Sequence, residues 1–202
     1  MSRRIIIIEG NDNSGKTTTV KGIQDQFGSD FTYLRYPSEE LIMSPTFQNC
    51  IYKPSNHSIL TFIDALINEI KADFLNADKE DNIIIDRCFL SSLVYQGDNE
   101  DLYEAIKYKY TKMFEELEIP SEDLYHIILF GRLCETDKEE KIEVKKFIDS
   151  NKRIDGKWSN YMSKWYDMNE DNPYLKNIMT FKVDLNNIGA VRECIYHFID
   201  CL

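Results

Sequence analysis

The sequence predicts a three-layer α/β/α fold built on a five-stranded parallel sheet. Two observations predict it: short apolar or β-branched runs recur along the chain, and longer stretches with helical spacing separate them. The runs are apolar at nearly every position, as strands covered by helices on both faces require. The predicted strands are Ile5–Ile8, Phe31–Tyr36, Ile83–Ile85, Ile127–Phe130 and Met179–Val183.

Between these runs, the spacing of apolar residues predicts six helices. They are Lys16–Phe27, Ile59–Leu75, Asp101–Leu117, Lys138–Ser150, Lys157–Met168 and Ala190–Ile199. The chain has no internal repeat and no Pro/Gly-rich linker, and its 202 residues are 43% hydrophobic. We therefore expect residues 1–202 to form a single domain.

Composition restricts the class of function. The apolar run Ile5–Ile8 is too short to cross a bilayer or to act as a signal peptide, which predicts a soluble, unprocessed cytoplasmic protein. Five cysteines without a C-x-x-C pair fit reduced intracellular thiols. The net charge of −11 argues against nucleic acid or an anionic membrane as partners, because both attract basic surfaces. An anionic ligand would need a locally basic pocket.

The strongest motif follows the first predicted strand. Gly10 to Thr17 reads GNDNSGKT, which fits G-x-x-x-x-G-K-[ST], and a predicted helix begins at Lys16. Backbone N–H groups of such a loop surround phosphate, the lysine reaches the β- and γ-phosphates, and the threonine hydroxyl can bind Mg²⁺. The motif predicts a P-loop NTPase fold that binds ATP and Mg²⁺. The residues assigned to nucleotide binding are Gly10, Asn13, Ser14, Gly15, Lys16, Thr17 and Thr18.

The remaining motifs decide between classes of P-loop protein. A GTPase reads guanine through N-K-x-D, and residues 151–155 (NKRID) contain one residue too many. Large ATPases need a longer chain. A kinase that acts on a phosphorylated acceptor needs cations at the carboxyl ends of neighbouring strands, and Arg35 and Arg87 are placed there. Asp86 ends the third predicted strand, where an acidic residue can hold Mg²⁺.

Three segments, taken in order, resemble the thymidylate kinase family. Ile8 to Thr18 resembles its E-G-x-D-x-x-G-K-[ST]-T start, and Arg35-Tyr36-Pro37 resembles its R-[FY]-P element. Residues 86–97 (DRCFLSSLVYQG) resemble the D-R-x-x-x-S-x-x-x-Y-Q-G segment of bacterial members. The resemblance implies ATP-dependent phosphorylation of thymidylate (dTMP) to dTDP, and it implies a homodimer.

The resemblance also assigns roles to residues of the acceptor site. It implies that Asp12 lies near the sugar and the metal, and that Arg35 and Arg87 hold the acceptor phosphate. Ser92, Tyr95 and Gln96 would line the base and deoxyribose pocket, and Phe62 would stack on the base. Ordinary core packing is the alternative for Phe62 and Tyr95.

A lid is predicted at residues 134–153, where the charged stretch Glu135–Lys146 could equally be a solvated helix face. Lysines replace the arginines that the family carries in this segment. Arg153 resembles the arginine of the family's closing R-x-[DE] element and is assigned as the lid cation that acts in catalysis. Arg132 is the competing candidate.

Two departures from the family leave other functions open. Leu66 stands where the family commonly has an arginine that reads the thymine edge, and Cys88 stands where it usually has Tyr or His. The first alternative is a kinase of broader deoxynucleoside monophosphates or of deoxynucleosides. The second is a nucleotide-binding regulatory module without turnover.

Overall fold

A computed structural model describes residues 3–11, 14–78, 81–96, 99–131, 172–184 and 186–202. The strands in these ranges form one five-stranded sheet in which all neighbours are parallel, in the order β2-β3-β1-β4-β5. They are β1 (Ile5–Gly10), β2 (Phe31–Arg35), β3 (Asn82–Asp86), β4 (Leu124–Gly131) and β5 (Ile178–Val183). The predicted fold class is confirmed.

Seven α-helices lie in the described residues. They are α1 (Lys16–Phe27), α2 (Glu39–Met43), α3 (Pro45–Tyr52), α4 (Asn56–Asn76), α5 (Phe89–Gln96), α6 (Glu100–Glu116) and α7 (Ile188–Cys201). Of these, α1 has the predicted bounds, and α4, α6 and α7 overlap their predictions closely. The predicted helices at 138–150 and 157–168 lie outside the described residues. Within the described ranges, no helix combines the length and the apolar character that a bilayer crossing requires.

Three helices were not predicted, and two of them have clear starting signals. Ser38 accepts a hydrogen bond from Leu41 N at 3.1 Å at the start of α2, and Ser44 accepts one from Phe47 N at 3.2 Å at the start of α3. Such serine caps satisfy N–H groups that a helix leaves without partners in its first turn. Both helices are short, so their apolar residues show no clear helical period.

Alternate residues of β1 face two different layers. Ile5 and Ile7 belong to the apolar cluster that contains α4, α5 and α6, whereas Ile6 and Ile8 belong to the cluster that contains α1 and α7. All four isoleucines are fully buried. Each buried isoleucine contributes about 1.5–3 kcal/mol relative to exposure, which explains why the central strand is apolar at successive positions.

The register places the carboxyl ends of the strands at one edge of the sheet. Gly10 pairs with Leu129 of β4, and Ile8 pairs with Asp86 at the end of β3. Arg35, at the end of β2, pairs with the same Asp86. Ligands of open parallel sheets bind at such an edge, and the predicted site residues Gly10, Arg35 and Asp86 lie there.

Candidate active site

The two glycines of the motif after β1 have the backbone conformation that a phosphate-binding loop needs at these positions. Gly10 has φ 137° and Gly15 has φ 87°, both in the region that favours glycine. A Cβ on Gly10 would lie 1.9 Å from the carbonyl oxygen of Leu129. Gly15 is the N-cap of α1 and has no side chain that could accept from the first turn. The loop therefore presents the N-terminus of α1 to an anion.

The ammonium group of Lys16 contacts residues of this loop. Its Nζ donates to the backbone oxygen of Asn11 at 2.6 Å and lies 3.5 Å from Ser14 Oγ, and the side chain is buried. The charge is thus already held beside the backbone amides that an anion would meet. Phosphate oxygens would compete for the ammonium with the neutral acceptors that it contacts now.

Asn11 ties the same loop to the next strand. Its side-chain amide donates to Gly131 O at 2.8 Å and accepts from Gly131 N at 2.9 Å, at the end of β4. The Asn11 side chain is buried, and buried polar groups need hydrogen-bond partners. Gly131 provides a partner for both the NH₂ group and the carbonyl oxygen of the Asn11 side chain. Sequence reasoning missed this residue because it occupies a variable position of the motif.

Thr17 and Asp86 form the candidate metal site. Thr17 Oγ1 donates to Asp86 Oδ2 at 3.2 Å, and the buried Oδ1 has no hydrogen-bond partner among the described residues. Mg²⁺ is typically bound by one or two carboxylates together with hydroxyl groups, waters and substrate phosphates. No group of three or more His, Cys, Asp or Glu suited to a metal occurs in the described ranges. One hydroxyl and one carboxylate would suit a magnesium ion that the phosphates of a bound nucleotide also hold.

Arg35 lies near the Asp86 carboxylate, and Arg87 follows Asp86 in the chain. Arg35 Nε lies 3.9 Å from Asp86 Oδ2, and its side chain is 68% exposed. Arg87 follows β3 directly, and its backbone N–H donates to Ile8 O at 3.0 Å. Both arginines therefore lie at the edge of the sheet that carries the phosphate loop. Neither of them lies at the opposite edge, where the amino ends of the strands are.

Tyr95 contacts Arg87. Arg87 Nη1 donates to the Tyr95 hydroxyl at 3.4 Å, and its guanidinium carbon lies 5.9 Å from the Tyr95 ring centroid. Tyr95 is half-buried and is the last residue but one of α5. The predicted phosphate ligand and the predicted sugar-pocket residue are thus neighbours in space.

Glu9 is a buried acid that sequence reasoning did not assign to the site. Its Oε1 accepts from the backbone N–H groups of Cys88 and Leu90, both at 3.0 Å. Its Oε2 accepts from Ser91 N at 3.2 Å and from the Ser91 hydroxyl. Burial raises the pKa of Glu9, and the hydrogen bonds from Ser91 and Cys88 and the charge of Arg87 oppose that rise. A glutamate inside an otherwise apolar strand was the signal that could have identified it.

Several residues of the predicted base pocket are packed in the core. The ring of Phe62 packs edge-on against Phe47 with centroids 5.4 Å apart, and Leu66 is buried beside it. Ser92 Oγ lies 2.8 Å from the Tyr110 hydroxyl and donates to Cys88 O at 3.2 Å. Burial raises the pKa of the Cys88 thiol, so it remains neutral. The roles predicted for Phe62 and Ser92 in substrate binding stay predictions.

Other predicted site residues lie outside the residues that the structure describes. Asp12, Asn13, Arg132, Arg153 and the lid at 134–153 lie outside the described residues, as does the side chain of Gln96. Thr18 is an exposed residue in the first turn of α1. The structure brings together Gly10, Ser14, Gly15, Lys16, Thr17, Arg35, Asp86, Arg87 and Tyr95 at one edge of the sheet.

Three solved structures with this fold are kinases. Thymidylate kinase from Candida albicans superposes with a TM-score of 0.60 at 19% identity, over 99% of this chain and 92% of that chain. Thymidylate kinase from Ehrlichia chaffeensis gives 0.54 at 18% identity, over 99% of this chain and 100% of that chain.

A deoxyadenosine kinase from M. mycoides, solved with the products dCMP and dCDP bound, gives a TM-score of 0.56 at 18% identity. The superposition covers 98% of this chain and 100% of that chain. No protein-family model and no curated protein match the sequence. The chain has the fold of the P-loop nucleoside monophosphate kinases.

Proposed function

We propose that the protein transfers the γ-phosphoryl group of ATP to a nucleoside monophosphate, with dTMP as the first candidate. The observation that carries the proposal is the position of Arg35 and Arg87 at the sheet edge that carries the phosphate loop. A P-loop protein that hydrolyses its nucleotide needs no cations for a second anion. Two guanidinium groups next to the phosphate loop are what a phosphorylated acceptor requires.

The chemistry is mainly alignment and charge neutralisation. An oxygen of the acceptor phosphate forms a bond to the γ-phosphorus, and the bond from that phosphorus to the β,γ-bridging oxygen breaks, so that ADP leaves. The attacking oxygen is already ionised near neutral pH, so no strong base is needed. Lys16 neutralises the donor phosphates, and Arg35 and Arg87 hold the acceptor phosphate.

Mg²⁺, bound by Thr17 and Asp86, would supply further positive charge to the phosphates. Oδ1 of Asp86 has no hydrogen-bond partner in the described part of the chain, which supports this assignment, because a buried carboxylate oxygen is rarely left without a hydrogen bond or a metal.

The resemblance to thymidylate kinases supports the rest of the proposal. The chain would act as a single cytoplasmic domain, residues 1–202, and as a homodimer. Residues 134–153 would close as a lid over ATP and exclude water. Arg153 would supply the lid cation, with Arg132 as the alternative, and Asp12 would lie near the sugar of the acceptor.

A second candidate is a kinase of broader deoxynucleoside monophosphates, or of deoxynucleosides. The observation that favours it is the burial of Leu66 among apolar side chains, where a base-reading arginine would stand in the family. The likeness to a deoxyadenosine kinase is compatible with it. A binding module without turnover is disfavoured by the retention of Lys16, Thr17, Asp86 and Arg87.

A panel of acceptors tests these candidates. ADP formation from ATP would be measured with dTMP, dCMP, dAMP and dGMP and with the four deoxynucleosides, with and without Mg²⁺. We expect turnover of dTMP that requires Mg²⁺. Turnover of thymidine without turnover of dTMP would replace the proposal by a nucleoside kinase, and no turnover of any acceptor would indicate a binding module.

A further inference from the structure

Glu9 connects two segments that are distant in sequence. It lies in β1 directly before Gly10, the first glycine of the phosphate loop, and its side chain is fully buried. Among the described residues, the hydrogen bonds to its carboxylate come from residues 88, 90 and 91. One carboxylate therefore joins the start of the donor loop to the segment that follows Arg87.

The bonds to Glu9 hold the first turn of α5. A helix leaves its first N–H groups without intrahelical partners, and here the carboxylate accepts from Cys88 N, Leu90 N and Ser91 N. A negative charge at this end of a helix is also favoured by the helix dipole. Because Tyr95 lies on α5, the same bonds fix the helix that carries it.

The backbone of Arg87 is strained, and Glu9 holds the residue that follows it. Arg87 has φ 70°, in the left-handed region that residues with a side chain seldom adopt. Its own N–H donates to Ile8 O, and the next N–H, that of Cys88, donates to Glu9. The chain is thus fastened to β1 on both sides of the strained residue.

We infer that Glu9 is a positioning residue of the acceptor site, which keeps Arg87 in its left-handed conformation and aims its guanidinium at the acceptor phosphate. This inference rests on the proposed function. A carboxylate suits the role because it offers two oxygens that only accept, whereas a glutamine would present an NH₂ group to one of the backbone donors.

Steady-state kinetics test the inference. We expect Glu9→Ala to raise the KM for the monophosphate about tenfold while the KM for ATP changes less than about twofold, since a misplaced group loses affinity steeply. Glu9→Gln, which keeps one accepting oxygen, should fall between Glu9→Ala and the wild type. Equal changes in both KM values, or none, would overturn the inference.

Asn177→Ala is the matched control for loss of stability. Asn177 donates to Ser121 O at 3.2 Å and to Leu124 O at 3.2 Å, at the amino end of the sheet. It should lower the melting temperature without changing either KM. An acceptor KM that rises as much in this variant as in Glu9→Ala would show that Glu9 acts through stability alone.

Amide hydrogen exchange separates this inference from the proposed function, because it needs no activity. In Glu9→Gln, the amide of Cys88, Leu90 or Ser91 that loses its acceptor should exchange at least about tenfold faster, since exchange follows local opening. The Leu102 amide, held by Asn99 Oδ1 at 2.9 Å, is the internal control. Unchanged exchange at all three amides overturns the inference even if the kinase proposal holds. Faster exchange without turnover of any acceptor would support the role of Glu9 in holding the segment after Arg87 and would overturn its assignment to an acceptor site.

Discussion

The hydroxyl of Thr17 donates a hydrogen bond to Asp86 Oδ2 at 3.2 Å, across the edge of the sheet. Thr17 is the second residue of α1, and Asp86 is the last residue of β3. The bond leaves Oδ1 of the same carboxylate buried and without a partner among the described residues. One oxygen is engaged by the phosphate loop, and the other is available to a cation.

Asp86→Asn is expected to lower kcat about 10- to 100-fold and to raise the Mg²⁺ concentration needed for half-maximal activity. The fold should be retained, because the amide has the same shape and its oxygen can still accept from Thr17. A Mg²⁺ titration of initial rates measures this, with the exposed Asp200→Asn as the control. An unchanged Mg²⁺ requirement would show that Asp86 does not serve the metal.

Lys16→Ala is expected to reduce phosphoryl transfer by about 1000-fold or more, because it removes the ammonium that neutralises the donor phosphates. Circular dichroism should remain that of the wild type. Lys21→Ala, an exposed lysine on the same helix, should keep full activity. Retained kinase activity in Lys16→Ala would refute the assignment of the loop.

Arg87→Lys is expected to raise the KM for the monophosphate about 10- to 100-fold, since a lysine lacks the planar fork that binds phosphate in two places. Arg35→Ala should act in the same direction, and both should leave the KM for ATP nearly unchanged. Arg4→Lys, directly before β1 at the opposite edge, is the control. If the arginine variants weaken ATP binding instead, these side chains serve the donor.

Asn11→Ala is expected to lower the free energy of unfolding by about 1–3 kcal/mol, because the partly buried N–H and C=O of Gly131 lose their side-chain partner. Urea unfolding measures the change. The exposed Asn68→Ala on α4 should stay within about 0.5 kcal/mol of the wild type. Equal stabilities for the two variants would contradict the role of Asn11 as the link to β4.

The burial of His126 predicts that the folded protein loses stability at acid pH. It is fully buried, its Nε2 lies 3.0 Å from Tyr174 O, and burial lowers its pKa from 6.5 to about 4. The unfolded chain therefore binds a proton at this residue between pH 6.5 and 4 that the folded chain does not. The stability that neutral His126 contributes is complete above pH 6.5, the pKa of the residue in the unfolded chain. As the pH falls toward 4, the free energy of unfolding decreases by about 3 kcal/mol in all.

Urea unfolding of the wild type and of His126→Gln, at several values between pH 7 and 4, tests this. The wild type should lose about 3 kcal/mol more than the variant over this range. His57→Gln, at an exposed position on α4, should follow the wild type. Parallel curves for the wild type and His126→Gln would contradict the prediction.

The positions of the strands along the chain and the glycine-containing motif after β1 could be read from local sequence. Ile5–Ile8 is apolar at every position because both faces of β1 are covered, and Gly10 and Gly15 are glycines because their φ angles are positive. Burial and a positive φ angle each restrict which residue type can stand at that position. The helix α5 was not predicted, because the partner that fastens its first turn is Glu9, from another part of the chain.

By itself, the sequence determined the fold class, the G-x-x-x-x-G-K-[ST] motif from Gly10 to Thr17, and the presence of two arginines at strand ends. Only the tertiary structure decided that Asp86 meets Thr17, that Asn11 binds Gly131, and that Glu9 holds the segment after Arg87. The physical reason is the range of the interactions. Strand burial and glycine dihedrals are local properties, whereas each of these contacts depends on the register of the sheet, which many distant residues set together.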